Sequence, residues 1–293
     1  MTSVGRGNSA QPASAEREFV FTPDDFRVIA AVLHGDAGIY LPETKATLVY
    51  SRLAKRLRLL GLSSFNDYCA LIQDEAGVDE RQAMLAALTT NVTRFFREPH
   101  HFDHLRERVL PDLVARARAG GRVRLWSSAC SSGQEPYSMA LTLLAAMPDA
   151  AQHDVKILAT DIDPNVVAVA REGAYRRDLL EAVPSSDRSR LKRAPELGDD
   201  VWRFSDEVRD LIAFRELNLV RPWPMNGRFD VIFCRNVVIY FDEPTQETVW
   251  RRFIDIMTPQ ARLYIGHSER VTGDDGRLVS DGLTVYRLKG AAR

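Results

Sequence analysis

None of the three cysteines in this chain (Cys69, Cys130, Cys234) has another at C-x-x-C spacing. A zinc cluster and a disulfide framework are therefore not indicated, no metal set is assigned, and a reducing, cytoplasmic setting is expected. No run approaches the ~20 apolar residues of a membrane span, and the start of the chain has no signal-peptide apolar segment, so no membrane insertion is expected. An excess of charge of one sign is also missing: 39 Lys and Arg stand against 40 Asp and Glu, a formal net charge of -1. That excludes a whole-surface nucleic-acid binder but leaves room for a local basic face. No internal repeat and no G-x-G-x-x-G fingerprint occur. What remains is ordinary for a soluble globular protein: 45% hydrophobic and 27% charged over 293 residues, enough for one large domain or two modest ones.

Residues 1–17, rich in Gly, Ser, Ala and Gln, are expected to be a disordered tail. Residues 18–95 read as a helical module. Thr22-Pro23-Asp24-Asp25 starts one helix, with Thr at the cap and Pro in the first turn. Gly38 breaks it. A second helix runs from near Pro42 to Leu60 and stops at Gly61. Ser63 or Ser64 caps a third, and a fourth covers residues 79–88. From about Arg122 the period changes. Strand-like runs at 123–126, 155–160, 229–234 and 263–265 alternate with helical stretches at 135–146, 164–172 and 244–257, the pattern of a parallel α/β sheet. Residues 283–288 form a closing strand without a following helix, suited to an antiparallel edge. Between 175 and 214 a polar stretch interrupts the alternation and reads as a small insertion, with residues 201–204 as an exposed strand.

Two segments carry the chemistry. Val123–Trp126 leads into Ser127-Ser128-Ala129-Cys130-Ser131-Ser132-Gly133-Gln134-Glu135, a strand, a small-residue turn and a helix start. Glu135 stands where it would repel a pyrophosphate and could pair with an amine. One strand later, Asp161 ends a buried strand, placed to accept hydrogen bonds from two ribose hydroxyls. A nucleoside with an amine and no phosphate is S-adenosylmethionine. The plain structural alternatives are a helix N-cap for Asp161, a role Asp163 could fill instead, and a first-turn acid for Glu135.

Longer blocks stand beside these: Thr90-Asn91-Val92-Thr93-Arg94-Phe95-Phe96-Arg97-Glu98-Pro99-His100-His101-Phe102, Phe233-Cys234-Arg235-Asn236-Val237-Val238-Ile239-Tyr240-Phe241, and Gly266-His267-Ser268-Glu269. In order and spacing, from Phe19 to Leu288, the chain resembles the CheR family, the chemotaxis-receptor glutamate O-methyltransferases. The resemblance implies an all-α N-terminal domain followed by a class I (Rossmann-like) α/β methyltransferase domain over 96–293, with a small β-subdomain inserted at about 175–214. It also implies S-adenosylmethionine held by Asn91, Thr93, Arg97, Glu135, Asp161, Asn218, Leu219, Arg235 and Asn236. Family members that dock on a receptor's C-terminal pentapeptide carry a glycine-rich turn in the β-subdomain. Arg193–Asp200 has one glycine here, so tethered docking is not implied.

Methyl transfer to a carboxylate needs little base catalysis, because a glutamate of pKa ~4.3 is already ionised at pH 7. Arg97 is the candidate to hold that carboxylate, or the cofactor's own; its structural alternative is a domain-linking salt bridge. Tyr240 is the candidate to orient the acceptor, or else caps the core at a strand end. Lys45, Arg52, Lys55, Arg56 and Arg58 make the second helix basic. The bland reading is a solvated face, whereas the resemblance implies a docking face for acidic receptor helices. Two other classes stay open: a nucleic-acid methyltransferase, which would need a base-flipping pocket, and a non-catalytic sensor of S-adenosylmethionine.

Overall fold

In a computed structural model, residues 18–89 and 91–290 are described. The 1–17 tail and Thr90 of the 90–102 block lie outside the described residues. The N-terminal part is four helices. In α1 (Pro23–Ala37) Thr22 and Asp25 form a reciprocal capping box and Gly38 closes the C-terminus in the left-handed region. A short 3-10 turn (Glu43–Lys45) leads into α2 (Ala46–Leu60), which ends at left-handed Gly61. Ser64 caps α3 (Phe65–Gln73), and α4 (Val78–Leu88) follows. Ile29, Leu33, Val49, Leu53, Leu57, Phe65 and Ile72 are fully buried in a core of their own.

A helical run absent from the sequence pattern comes next: α5 (Pro99–His104), a π turn (Leu105–Val109) and α6 (Leu110–Arg118). Pro111 has no N–H for the carbonyl four residues back, which accounts for the widened turn there. Then follow β1 (Val123–Ser127), α7 (Gln134–Ala146), β2 (Val155–Asp161) and α8 (Pro164–Glu172). Three short strands, β3 (Ala174–Arg176), β4 (Leu191–Arg193) and β5 (Val201–Phe204), pair only with one another as an antiparallel sheet in the order β3-β5-β4. The chain continues through α9 (Asp206–Arg209), β6 (Ile212–Glu216), β7 (Phe229–Cys234), α10 (Glu243–Asp255), β8 (Met257–Ile265), β9 (Leu278–Gly282) and β10 (Val285–Leu288).

The large sheet has the order β6-β2-β1-β7-β8-β10-β9. Its first five strands are parallel, and β10 runs antiparallel to both neighbours. Thus the closing strand, expected at an edge, is inserted between β8 and β9. The expected insert reached residue 214, but Ile212–Glu216 pairs with β2 in the large sheet, so the separate small sheet ends at Phe204. Alternate residues of each central strand enter different cores. Leu125, Ile157, Val231 and Phe233 face the α5–α8 side. Trp126, Ile232 and Leu263 face α10. Burial on both faces is what a parallel sheet requires. Its register brings Ser127, Asp161, Cys234 and Ile265 to one carboxyl edge, and the chain order reverses beside β1, where a ligand crevice forms.

Candidate active site

The turn after β1 enters α7 through Gly133, at φ 100°. A Cβ there would lie 2.6 Å from the Tyr175 hydroxyl and 2.9 Å from the Ala170 Cβ, so glycine lets α7 pack against the β2–α8 unit. The first turn of α7 carries Glu135 into the interior. Its Oε1 accepts from the Ser127 hydroxyl at 2.6 Å and its Oε2 from Arg235 Nε at 2.7 Å.

Asp161 closes the turn from the other side. It accepts from the backbone N–H of Ser131 (2.8 Å) and of Asp163 (3.1 Å). Burial raises its carboxyl above the usual range, against the pull of those amides. The helix cap is Asp163, which accepts from Asn165 N at 2.9 Å. Asp161 is therefore not spent on capping. Asp163 also receives Asn91 Nδ2 at 3.1 Å, and the Asn91 carbonyl accepts from the Ser131 hydroxyl at 2.9 Å. Asn91 and half-buried Thr93 thus lie on the segment that crosses this turn.

Arg235, just past β7, is the hub. Besides Glu135 its guanidinium donates to the Arg97 carbonyl (2.6 Å), faces His101 Nδ1 (3.0 Å) and lies 3.4 Å from Glu98 Oε2. The rings of Phe102 and Phe233 flank it at 5.4 and 5.2 Å. Burial, together with the Arg235 charge, lowers the pKa of His101 to about 3, so it is neutral at pH 7. Burial opposes ionisation of Glu98, but hydrogen bonds from His267 and the charge of Arg235 outweigh it and hold its carboxyl below the usual value.

The two expected catalytic residues lie on segments that meet at the end of β7: the Arg97 carbonyl accepts from Arg235, and Tyr240 ends the turn that follows Asn236. Arg97 is half-buried and donates to the Val92 carbonyl at 3.1 Å. Among the described residues it forms no ion pair, so the domain-linking salt bridge is not its role. Tyr240 is 37% exposed, at the end of a 3-10 turn (Val238–Tyr240). Its carbonyl accepts from Tyr40 N at 2.8 Å, beside a bridge between Ile39 and Phe241. The helical module is therefore fastened to the segment that bears Tyr240. Asn218 fastens it again, donating to the Asp36 carbonyl at 2.7 Å. Among the described residues, four of the six non-glycine residues at positive φ belong to this region: Phe96, Glu98, Ser131 and Asn236. Each such backbone costs on the order of 1–3 kcal/mol and persists where the surroundings enforce it.

Comparisons with known proteins fit this geometry. The family model "CheR methyltransferase, all-alpha domain" matches residues 24–89 and "CheR methyltransferase, SAM binding domain" matches 91–286. The chain belongs to the CheR methyltransferase family. A probable chemotaxis protein methyltransferase of Rhizobium etli is 55% identical, over 89% of this chain and 99% of that protein. Chemotaxis protein methyltransferase 2 of Pseudomonas aeruginosa is 41% identical over 95% of this chain and 98% of that protein. A chemotaxis protein methyltransferase of Klebsiella aerogenes is 40% identical over 98% of this chain and 97% of that protein.

The cofactor of this CheR-family chain is S-adenosylmethionine, and the residues present suit it. A carboxylate, not a phosphate cradle, stands at the N-terminus of α7. Beside Asp161 a cavity of ≈ 390 Å³ opens between the domains, lined by Ile162, Leu217 and Asn218 on one side and by Val78, Gln82 and Leu85 of α4 on the other, with Asp36, Arg81, Glu216 and Arg221 also on its wall. Its apolar residues offer a flat ring a surface to pack on, and its polar ones offer hydrogen-bond partners. Leu219 sits differently from the other expected cofactor residues: its side chain is buried in the core with Trp126 and Phe253.

The basic helix also departs from expectation. Arg52 donates to the carbonyls of Ala87, Leu88 and Thr89 and so caps α4. Arg56 forms a two-pronged pair with Glu80, which also accepts from the buried Tyr68 hydroxyl at 2.8 Å. Arg58 pairs with Glu18. Only Lys45 and Lys55 of the five are exposed without such a commitment among the described residues. Charge reversal at Arg52 or Arg56 therefore tests the fold, not docking.

Sequence reasoning missed the roles of Glu98, His267 and Glu269. Their signal was present: the Gly266–Glu269 block follows a buried parallel strand at its carboxyl end, where side chains face the crevice.

Proposed function

We propose that the protein transfers a methyl group from S-adenosylmethionine to glutamate side chains in the cytoplasmic helical regions of chemoreceptors, giving glutamate methyl esters and S-adenosylhomocysteine. The observation that supports this reading is that Glu135 and Asp161 lie at the carboxyl edge of the sheet, Glu135 bonded to Arg235, which also holds the Arg97 carbonyl, with Tyr240 at the end of the turn that follows. It is supported by relatives named as chemotaxis protein methyltransferases.

When bound, the cofactor supplies a methyl already activated by its sulfonium charge. The chain supplies placement. Asp161 is set to receive ribose hydroxyls and Glu135 the amino group; Asn91 and Asn218 bound the site. Arg97 holds the acceptor carboxylate without protonating it, since guanidinium stays charged and binds carboxylates in a fork. The Tyr240 hydroxyl and ring fix the direction of approach. Alignment of this type can contribute up to ~7–11 kcal/mol. A carboxylate and a sulfonium neutralise each other as transfer proceeds, so burying the cleft between two domains favours the reaction.

Incubation with methyl-labelled cofactor and chemoreceptor-bearing membranes tests the proposal. Base-labile label on receptor protein is expected. Label on nucleic acid, or cofactor binding without transfer, overturns it.

A further inference from the structure

The four-residue segment after β8 touches both the stretch that leads to Tyr240 and the residue after Arg97. Glu269, 4% exposed, accepts from four backbone amides: Gly266 at 2.5 Å, Asn236 and Val237 at 2.8 Å, and Val238 at 3.0 Å. Only an ionised carboxylate has acceptor sites for all four; a glutamine would turn its NH2 toward amides that are themselves donors. The amides belong to the stretch that leaves β7. Asn236 there is held at φ 58° and Val238 opens the 3-10 turn that ends on Tyr240. Gly266 makes the approach possible, because a Cβ would lie 2.5 Å from Asn236 Nδ2 and 2.8 Å from Glu269 Oε2. On the opposite side His267 gives its backbone N–H (3.1 Å) and faces with its Nδ1 (2.8 Å) the same oxygen, Oε1 of Glu98. Glu98 directly follows Arg97, and its own φ is 57°.

We propose that Glu269 and His267 are positioning residues for methyl transfer: the Gly266–Glu269 loop sets the spacing between Tyr240 on the β7 side and Arg97 on the α5 side. Neither side chain need touch the substrate. Glu269 gathers the strained turn behind Tyr240, and His267 fixes the residue behind Arg97, so that both segments are referred to the end of a single strand. Misplacement by a fraction of an ångström at such a site lowers the rate without removing either ligand. The kinetic part of the inference rests on the glutamate-methylation reading; the structural part does not.

Two variants and two readouts test it. His267 is the side chain more tolerant of change, being 66% exposed. In methylation assays with full-length protein and receptor membranes, His267→Ala is expected to lower kcat roughly tenfold with KM for the cofactor changed less than about threefold. His267→Asn, whose amide N–H stands near the place of Nδ1–H, is expected to recover most of the loss. Glu269→Gln is expected to lower kcat further, roughly 10- to 100-fold, with cofactor affinity reduced less than kcat. Independently of any substrate, hydrogen exchange of the free protein reads the turn directly. The amides of Asn236, Val237 and Val238 are expected to be protected in the native chain and to exchange at least about tenfold faster in Glu269→Gln. Native kcat in both His267→Ala and Glu269→Gln overturns the proposal, as does equal loss in His267→Asn and His267→Ala. Fast exchange of the three amides in the native protein overturns it too. If the native protein transfers no methyl to receptor, the functional reading fails on its own, and exchange still decides whether Glu269 holds the turn.

Discussion

Replacing Glu135 with Gln isolates the feature that separates this cleft from a dinucleotide site. One carboxylate oxygen takes the Ser127 hydroxyl at 2.6 Å and the other takes Arg235 Nε at 2.7 Å. Glutamine keeps the volume and one oxygen but removes the charge. Two losses follow. The first is in folding: Arg235, whose side chain is 2% exposed, loses its shortest ion pair but keeps Glu98 at 3.4 Å and the Arg97 carbonyl at 2.6 Å. Breaking a buried pair outright costs ~3–5 kcal/mol; with partners remaining, about 2–3 kcal/mol is expected. The second loss is in binding. A hydrogen bond to a charged group contributes about 1.5–3 kcal/mol, so affinity for S-adenosylhomocysteine should fall roughly 10- to 150-fold. Titration calorimetry with S-adenosylhomocysteine and with 5′-methylthioadenosine, which has the same nucleoside but no amino-acid end, separates the two. The expected pattern is a large loss for the first ligand and less than about a threefold change for the second. Equal losses for both, or none for S-adenosylhomocysteine, would refute the assignment of Glu135 to the ligand's amine.

Four further outcomes are expected. His101, neutral in the folded state with a pKa of about 3 against an ordinary 6.5, binds its proton only in the unfolded chain between those values. Stability it protects is therefore complete above pH ~6.5 and is lost as pH falls, about 2 kcal/mol between pH 7 and 5. Urea unfolding at the two pH values should show this slope, and His101→Gln should lack it. Arg56→Met should destabilise the helical module by ~2–3 kcal/mol, by stranding Glu80 and Tyr68, while leaving cofactor affinity unchanged in calorimetry. Lys45→Glu with Lys55→Glu should shift stability by no more than ~0.5 kcal/mol yet slow receptor methylation at low salt, an effect that fades as salt is added. Arg97→Ala should lower kcat/KM for receptor at least ~100-fold, and Tyr240→Phe by roughly tenfold, in steady-state assays. An unchanged rate in Arg97→Ala removes it from the acceptor site.

Local signals carried much of the fold. Thr22, Pro23, Gly38, Gly61 and Ser64 act in the structure as the caps and stops that their side chains or missing side chains dictate. Apolar strands ending in Asp161 and Cys234 announced the parallel sheet and its functional edge. The run Pro99–Arg118 was hidden because its charges, its internal Pro111 and its π turn blur a helical period. Ile212–Glu216 went unseen because it follows the inserted sheet directly, and its assignment to the large sheet depends on pairing with β2, a long-range fact. At the site, side-chain types pointed to ligand chemistry at Glu135, Asp161 and Arg235. They did not show that Arg235 would be the central hub, whereas Asp163, offered in the sequence as the alternative cap, does take that role. For α2, helical periodicity placed Arg52 and Arg56 on one stripe but gave no sight of the Ala87–Thr89 carbonyls or Glu80, which engage them from α4.

The most direct test is peptide mass spectrometry of a chemoreceptor cytoplasmic fragment after incubation with this protein and S-adenosylmethionine. The expected result is added methyl groups on glutamate side chains, removed by mild alkali and absent when those glutamates are replaced by glutamine. Alkali-stable methyl groups on other side chains, or an unmodified fragment alongside intact cofactor binding, would contradict transfer to an anionic carboxylate.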